Sequence, residues 1–415
     1  MASRGSHLVN GGRGFATGAG LLGRLAAPLF ARLVDQLGQR LVAGGIEATL
    51  PDGSRRRVGF HAPGPKATVH FRSWRALVRL ATSGSVGWYQ AWAAAEWSSP
   101  DPVPLFELFA ANAVSLGDTA RAKGPARWLN AAAHRLRDNA PRQARDNVAA
   151  HYDLGNDFYS AWLDEGMTYS SARFARPSER LEAAQRCKID ALLDRLDLAP
   201  GDRLLEIGCG WGTLAVEAAK RGVEVVGLTL STEQKAWAED RIAAAGLTEQ
   251  IDIRLTDYRA IDERFDAIAS VEMVEAVGQR YWPDYFDCLA RNLKPGGKAA
   301  LQFISIDHRL FDRYARNADF IQAYIFPGGM LIDEPRFAAL ATERGLTWDD
   351  REGFGHDYAQ TLRQWRARYD AAVSAGRLHD FEPAFHDLWR YYLMYCEGGF
   401  RGGAIDVAQV TLSRS

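Results

Sequence analysis

The chain has only four cysteines in 415 residues, Cys187, Cys209, Cys288 and Cys396, and no Cys-x-x-Cys pair. That scarcity argues against a disulfide framework or a structural zinc site and fits a reducing compartment such as the cytoplasm. Net charge is nearly absent: 50 Lys and Arg against 51 Asp and Glu leave a formal charge of −1. Such a balance excludes nucleic-acid binding through the overall field of the molecule. No apolar run reaches the roughly 20 residues that a membrane span needs. The best candidate, residues 18–42, is interrupted by Arg24, Arg32, Asp35 and Arg40. The opening segment lacks a compact apolar core followed by a small-residue cleavage site, so no signal peptide is read. With 47% hydrophobic and 24% charged residues, the chain has the make-up of a globular protein that folds without staples. At about 150 residues per domain, its length predicts two or three domains.

In the first third, Leu22, Leu25, Leu29, Leu33, Leu37 and Leu41 recur every three or four positions. This predicts an amphipathic helix, packed on its own domain or laid into a lipid headgroup layer. Residues 46–50, the turn Pro51-Asp52-Gly53 and residues 55–60 read as a hairpin. Trp88, Tyr89, Trp92 and Trp97 are large aromatics at helical spacing, best placed in a core. Between residues 119 and 145 seven basic residues, Arg121, Lys123, Arg127, Arg135, Arg137, Arg142 and Arg145, face a single acid, Asp138. This local patch reads as a solvated linker, an RNA-binding arm or a surface for anionic lipid.

The centre alternates strand and helix. An apolar strand at 204–207 leads through a glycine loop to a helix ending near Lys220; a strand at 223–228, a helix at 232–245 and a strand at 251–255 follow. Alternating βαβ units predict an α/β domain with a parallel sheet. The loop Glu206-Ile207-Gly208-Cys209-Gly210-Trp211-Gly212 is a GxGxG directly after a buried strand, where backbone can approach a ligand closely. Its spacing differs from the GxGxxG of a pyrophosphate loop. Glu206 stands where a carboxylate can hold a cationic amino-acid group. Both features favour S-adenosylmethionine over a dinucleotide. No acid follows the second strand to bind a ribose, so Thr229, Ser231 and Gln234 are assigned that work. Asp257, Tyr258 and Arg259, after the third strand, are placed to cradle adenine.

Several further segments stand in a fixed order: His151-Tyr152-Asp153-Leu154-Gly155-Asn156-Asp157-Phe158, Thr168-Tyr169-Ser170, the 206–212 loop, and Gly227-Leu228-Thr229-Leu230-Ser231. Then come Glu272-Met273-Val274-Glu275-Ala276-Val277-Gly278, Tyr324-Ile325-Phe326-Pro327-Gly328-Gly329, a His-Asp-Tyr segment ending at Tyr358, and Tyr391-Tyr392-Leu393 followed by Cys396. In these the chain resembles the cyclopropane-fatty-acyl-phospholipid synthase family, strongly over residues 147–412 and more weakly before. The resemblance implies a Rossmann-like class I methyltransferase domain at 141–415. It implies a smaller α+β lipid- or membrane-associated domain at 1–140.

It further implies an enzyme that delivers a one-carbon unit from S-adenosylmethionine to the cis double bond of an unsaturated phospholipid acyl chain, forming a cyclopropane. A bound bicarbonate would serve as base, with Glu275, Tyr358 and Cys396 around it and Tyr169 and Ser170 lining the cofactor site. No metal is implied. Three residues depart from the family pattern: Ser171 replaces a Cys, Gln302 replaces a His, and Glu272 adds a carboxylate that can act as base or as cofactor ligand. Glutamine donates a hydrogen bond but cannot shuttle a proton as imidazole does. The substitutions keep open a second product, a methylene- or methyl-branched chain. An RNA or small-molecule methyltransferase and a non-catalytic lipid binder are the rivals from other classes. The expected setting is cytoplasmic, peripheral to the inner face of the membrane, with no nucleic-acid partner; monomer and homodimer both stay open.

Overall fold

The computed structural model describes residues 4–11, 34, 37–117 and 154–415. The basic run at 119–145 and the leucine stripe from Leu22 to Leu33 lie outside them. The chain forms two compact units. Among the described residues no helix is long and apolar enough to cross a membrane.

The first unit comprises residues 1–137, 309–327 and 379–405. Its sheet contains β1 (Gly45–Thr49), β2 (Arg55–Gly59), β3 (Lys66–Phe71) and β4 (Trp97–Ser98), in the order β2-β1-β3-β4. β1 and β2 are the expected hairpin, antiparallel across a turn in which the Gly53 N–H donates to the Leu50 carbonyl. Helix Arg75–Ala93 carries Trp88, Tyr89 and Trp92. Trp97 departs from the helical expectation because the helix ends at Ala93 and Ala95 turns the chain with a left-handed φ of 51°. Trp97 then stacks on Trp88 with ring centroids 4.4 Å apart.

Residues 309–327 and 379–405, expected in the catalytic domain by sequence order, join this unit through aromatic packing. Tyr89 meets Phe320, Tyr324 and Tyr391 at centroid distances of 5.0, 4.6 and 5.1 Å, and Phe106 meets Tyr391 at 5.2 Å. Each such pair is worth about 0.5–1.5 kcal/mol beyond the burial of its rings. Helix Pro383–Arg401 also crosses helix Val103–Ala111 at close quarters, since a Cβ on Gly398 would lie 2.7 Å from the Glu107 backbone nitrogen.

The second unit holds residues 138–308, 328–378 and 406–415. Its sheet contains β5 (Arg203–Ile207), β6 (Glu224–Thr229), β7 (Ile251–Leu255), β8 (Phe265–Val271), β9 (Leu293–Ile306), β10 (Leu346–Gly353) and β11 (Ile405–Arg414). The strand order is β10-β11-β9-β8-β5-β6-β7. β7, β6, β5, β8 and β9 run parallel, and β10 pairs antiparallel with β11. Leu204, Leu205, Val225, Val226, Ala267 and Ile268 are all buried. Burial on both faces of a parallel sheet accounts for the unbroken apolar runs in the sequence. The chain order reverses at β5, and in open α/β sheets ligands bind beyond the carboxyl ends of the strands at that reversal.

Substituting Gly398→Ala is expected to lower stability by about 1–3 kcal/mol through overpacking against the neighbouring helix backbone. Urea unfolding of wild type and variant measures it.

Candidate active site

β5 ends at Ile207 and leads through the glycine loop into helix Thr213–Ala219. Gly210 has φ 52° and nothing within 4 Å of where a Cβ would stand, so its face is open. Gly212 has φ 80°, but there a Cβ would lie 2.9 Å from Ala238 Cβ. Gly212 therefore serves helix packing, whereas Gly208, Cys209 and Gly210 line a cavity of about 220 Å³. Tyr169, Ser170, Glu206, Thr229, Gln234, Asp257, Tyr258, Arg259 and Glu272 line the same cavity. Among the described residues no group of three or more His, Cys, Asp or Glu side chains is placed to hold a metal ion.

Glu206 is 4% exposed, and its Oε2 is buried without a hydrogen-bond partner. Burial pushes its carboxyl up to about 8. An unpartnered buried carboxyl oxygen on a cavity wall, beside an open glycine face, fits the ammonium and backbone-like portion of S-adenosylmethionine. The predicted ribose-binding trio is partly turned inward. Thr229 Oγ1 donates to Gln234 Oε1 at 2.8 Å, while Ser231 Oγ accepts from the Gln234 N–H and caps helix Thr232–Ala244. Ser231 is absent from the cavity wall. The Asp257 carboxylate accepts from the Arg259 guanidinium at 2.9 and 2.6 Å. Tyr258 is buried with its hydroxyl unpartnered, and burial pushes its pKa well above that of an ordinary phenol.

A second cluster stands at the end of β8. Glu272 has a left-handed φ of 49°, and its N–H donates to the Gln302 carbonyl at 2.7 Å. Its carboxylate takes three donors. Oε1 accepts from the Ser171 N–H (2.9 Å) and Gln302 Nε2 (2.8 Å), and Oε2 accepts from the Tyr358 hydroxyl (2.7 Å). Glu275 accepts from the Ile304 N–H through Oε1, and its Oε2 is buried and unpartnered. Burial, followed by the charge of Glu272, pushes the Glu275 carboxyl up to about 8. Burial also raises the Glu272 carboxyl, opposed by the Lys188 charge and by its hydrogen bonds.

The structure thus brings Glu272, Gln302 and Tyr358 into direct contact and puts Glu275 three residues along the chain from them. Cys396 belongs to the other unit, on helix Pro383–Arg401, where burial pushes its thiol far above the ordinary range. Sequence reasoning missed Lys188, which is 1% exposed and donates from Nζ to Ser170 Oγ at 2.6 Å. Burial lowers its ammonium to about 8, against the opposing pull of Glu272, Asp164 and Glu206. The signal was present: Leu181, Ala184, Lys188, Ile189 and Leu192 share one buried helical stripe, and a lysine on such a stripe needs a partner. Gln409, fully buried on β11, was missed as well.

Comparison with known proteins finds similar chains and structures. The chain is 39% identical over 348 residues, 81% of its length and 80% of the relative's, to Tuberculostearic acid methyltransferase UfaA1 of Mycobacterium tuberculosis. It is 40% identical over 266 residues to Cyclopropane-fatty-acyl-phospholipid synthase of Escherichia coli K12, covering 64% of this chain and 66% of that protein. The crystal structure of mycolic acid cyclopropane synthase CmaA1 complexed with SAH and CTAB matches with a TM-score of 0.61 and 33% identity, over 65% of this chain and 98% of that one. Fold, cavity and relatives together define an S-adenosylmethionine-dependent methyltransferase. Within that class the chain belongs to the mycolic acid cyclopropane synthetase family, whose model matches residues 139–410.

With its carboxyl near 8, Glu206 is protonated at neutral pH in the free protein and ionises when paired with an ammonium. S-adenosylmethionine binding should therefore release a proton and strengthen by about tenfold from pH 6 to pH 7. Calorimetry in buffers of different ionisation enthalpy reads this directly, and Glu206→Gln should remove both the release and the pH dependence.

Proposed function

We propose that the enzyme adds a one-carbon unit to the cis double bond of an unsaturated phospholipid acyl chain and closes it to a cyclopropane, with Glu272 as the base. The observation that carries this reading is the Glu272 carboxylate itself, held from three sides on the wall of the cofactor cavity. Bound in that cavity, S-adenosylmethionine supplies an electrophilic methyl group. Glu206 Oε2 takes the cofactor's ammonium, and Gly210 leaves its backbone open for close approach. Tyr169, Ser170, Thr229, Gln234, Asp257, Tyr258 and Arg259 form the remaining wall. A double bond that gains a methyl group leaves positive charge on the acyl chain, which a nearby carboxylate stabilises. Glu272 then accepts a proton from the added carbon, and the ring closes. The Tyr358 hydroxyl and the Gln302 amide favour the ionised form of that carboxylate against its burial.

In the family pattern a bicarbonate ion is the base. Here the Ser171 N–H, Gln302 Nε2 and the Tyr358 hydroxyl, donors suited to such an anion, are spent on Glu272. Glu275 adds a second carboxyl beside it. This supports a resident carboxylate doing the work of bicarbonate, with Cys396 outside the proton-transfer steps. Residues 1–140 are assigned the lipid-associated role, and the enzyme is assigned a peripheral position on the cytoplasmic face of the membrane.

A second reading is favoured by the match to the tuberculostearic acid methyltransferase across 81% of the chain. In it, a 1,2-hydride shift moves the positive charge onto the carbon that bears the new methyl group; loss of a proton from that methyl gives a methylene branch, and loss from the neighbouring chain carbon gives a methyl-branched alkene.

Incubation with methyl-labelled S-adenosylmethionine and vesicles of cis-unsaturated phospholipid, followed by proton NMR of the lipid, separates the two. Upfield ring protons are expected; vinylidene or branch signals would move the product to the second reading, and label-free lipid would overturn the substrate. Glu272→Gln is expected to cut turnover by about 10²- to 10⁴-fold while S-adenosylmethionine still binds. The wild-type rate is expected to be indifferent to added bicarbonate.

A further inference from the structure

Beyond the cofactor cavity, a chain of buried amides leads from Glu272 through Gln302 on β9 to Gln409 on β11, and every bond in it has one permitted direction. Gln302 is 1% exposed and Gln409 0% exposed. Gln302 Oε1 accepts from Gln409 Nε2 at 3.1 Å. The same Gln409 nitrogen donates to the Lys188 carbonyl at 3.1 Å, and Gln409 Oε1 accepts from Arg195 Nε at 3.3 Å. A guanidinium only donates and a backbone carbonyl only accepts. Arg195 and the Lys188 carbonyl therefore fix which end of the Gln409 amide faces Gln302. Gln409 in turn leaves the Gln302 amide nitrogen to face acceptors, which are Glu272 Oε1 at 2.8 Å and the Ser171 carbonyl at 3.4 Å. Arg195 is itself held by the Asp350 carboxylate at 2.6 Å and the Glu352 carboxylate at 3.1 Å.

We infer that Gln409 is a positioning residue for the reaction: it sets the polarity of the Gln302 amide so that a donor, never a carbonyl oxygen, meets the Glu272 carboxylate. Without it the Gln302 amide is free to turn over and set its oxygen against the carboxylate, a contact that only a protonated Glu272 tolerates. The inference rests on the reading of Glu272 as base. The charged and titratable groups that face Glu272 are the Lys188 ammonium, the Glu275 carboxyl and the Tyr358 hydroxyl. None of them changes when Gln409 is replaced.

The test is the pH profile of kcat/KM in the vesicle assay, with S-adenosylmethionine affinity measured alongside to establish that each variant is folded. Gln409→Met keeps the side-chain length and removes the polarity. It should move the acid limb of the profile up by about one pH unit, costing about tenfold in rate on that limb, with cofactor affinity unchanged. Gln409→Glu should move the limb further in the same direction, because its carboxylate compels the Gln302 amide to turn and adds a negative charge. Arg195→Leu, at the other end of the chain of amides, should give a smaller shift of the same sign and guards against a Gln409 variant that fails to fold. Equal rate losses at all pH values, with the acid limb unmoved in every variant, would overturn the inference and leave Gln409 a packing residue. Glu272→Gln in the same assay separates the two levels: full activity there defeats the base reading itself. Lost activity there, with unmoved limbs in the Gln409 and Arg195 variants, defeats the positioning role alone.

Discussion

The site depends on a set of donors that favour the charge of one carboxylate where burial opposes it. Several carboxyls surround a single buried ammonium: Lys188 feels Glu272, Asp164 and Glu206, and Glu275 feels Glu272. One positive charge cannot balance them all in a medium of low polarizability. The structure resolves the conflict by distributing donors unequally. Glu272 takes a backbone N–H, an amide and a phenol, whereas Glu206 and Glu275 are each left with an unpartnered oxygen and carboxyls raised to about 8. Burial therefore weighs most heavily against ionisation of Glu206 and Glu275, while the donors around Glu272 oppose its burial. Two carboxyls three residues apart thus stand in different environments, because one has the donors and the other is left with an unpartnered oxygen.

That arrangement carries a conformational cost. A glutamate with φ near 49° sits in a region that costs a residue with a side chain of the order of 1–2 kcal/mol. The bond from its own N–H to the Gln302 carbonyl helps to hold it there. Gln302 serves Glu272 twice, through its backbone oxygen and through its side-chain nitrogen, so backbone pose and carboxylate state are set by the same neighbour.

Much of the scaffold was legible in the sequence because its signals are local. The apolar runs of β5 and β6, the glycine loop and the β1–β2 turn each carry their pattern within a dozen residues. The Ser231-to-Gln234 spacing is of this kind too, although it marks a helix cap more than a ribose site. The convergence of Glu272, Gln302 and Tyr358 was not legible from spacing, because it joins residues 30 and 86 positions apart. Only family resemblance brought those residues to notice, and it could not show that Gln302 is committed to Glu272. Lys188 and Gln409 were hidden for another reason: each is a polar residue inside an apolar stripe, and the partner that explains it is supplied by a distant segment.

The aromatic packing of Tyr89 and Phe106 against Phe320 and Tyr391 means that neither unit is a continuous stretch of chain. The chain leaves and re-enters the unit that carries the methyl-transfer cavity. A genetic exchange with one breakpoint would consequently split the partners of at least one core, leaving half of an aromatic cluster facing water. Descendants of this enzyme cannot acquire a new first unit by simple domain shuffling. Diversification of that unit has to proceed by substitutions within an intact gene.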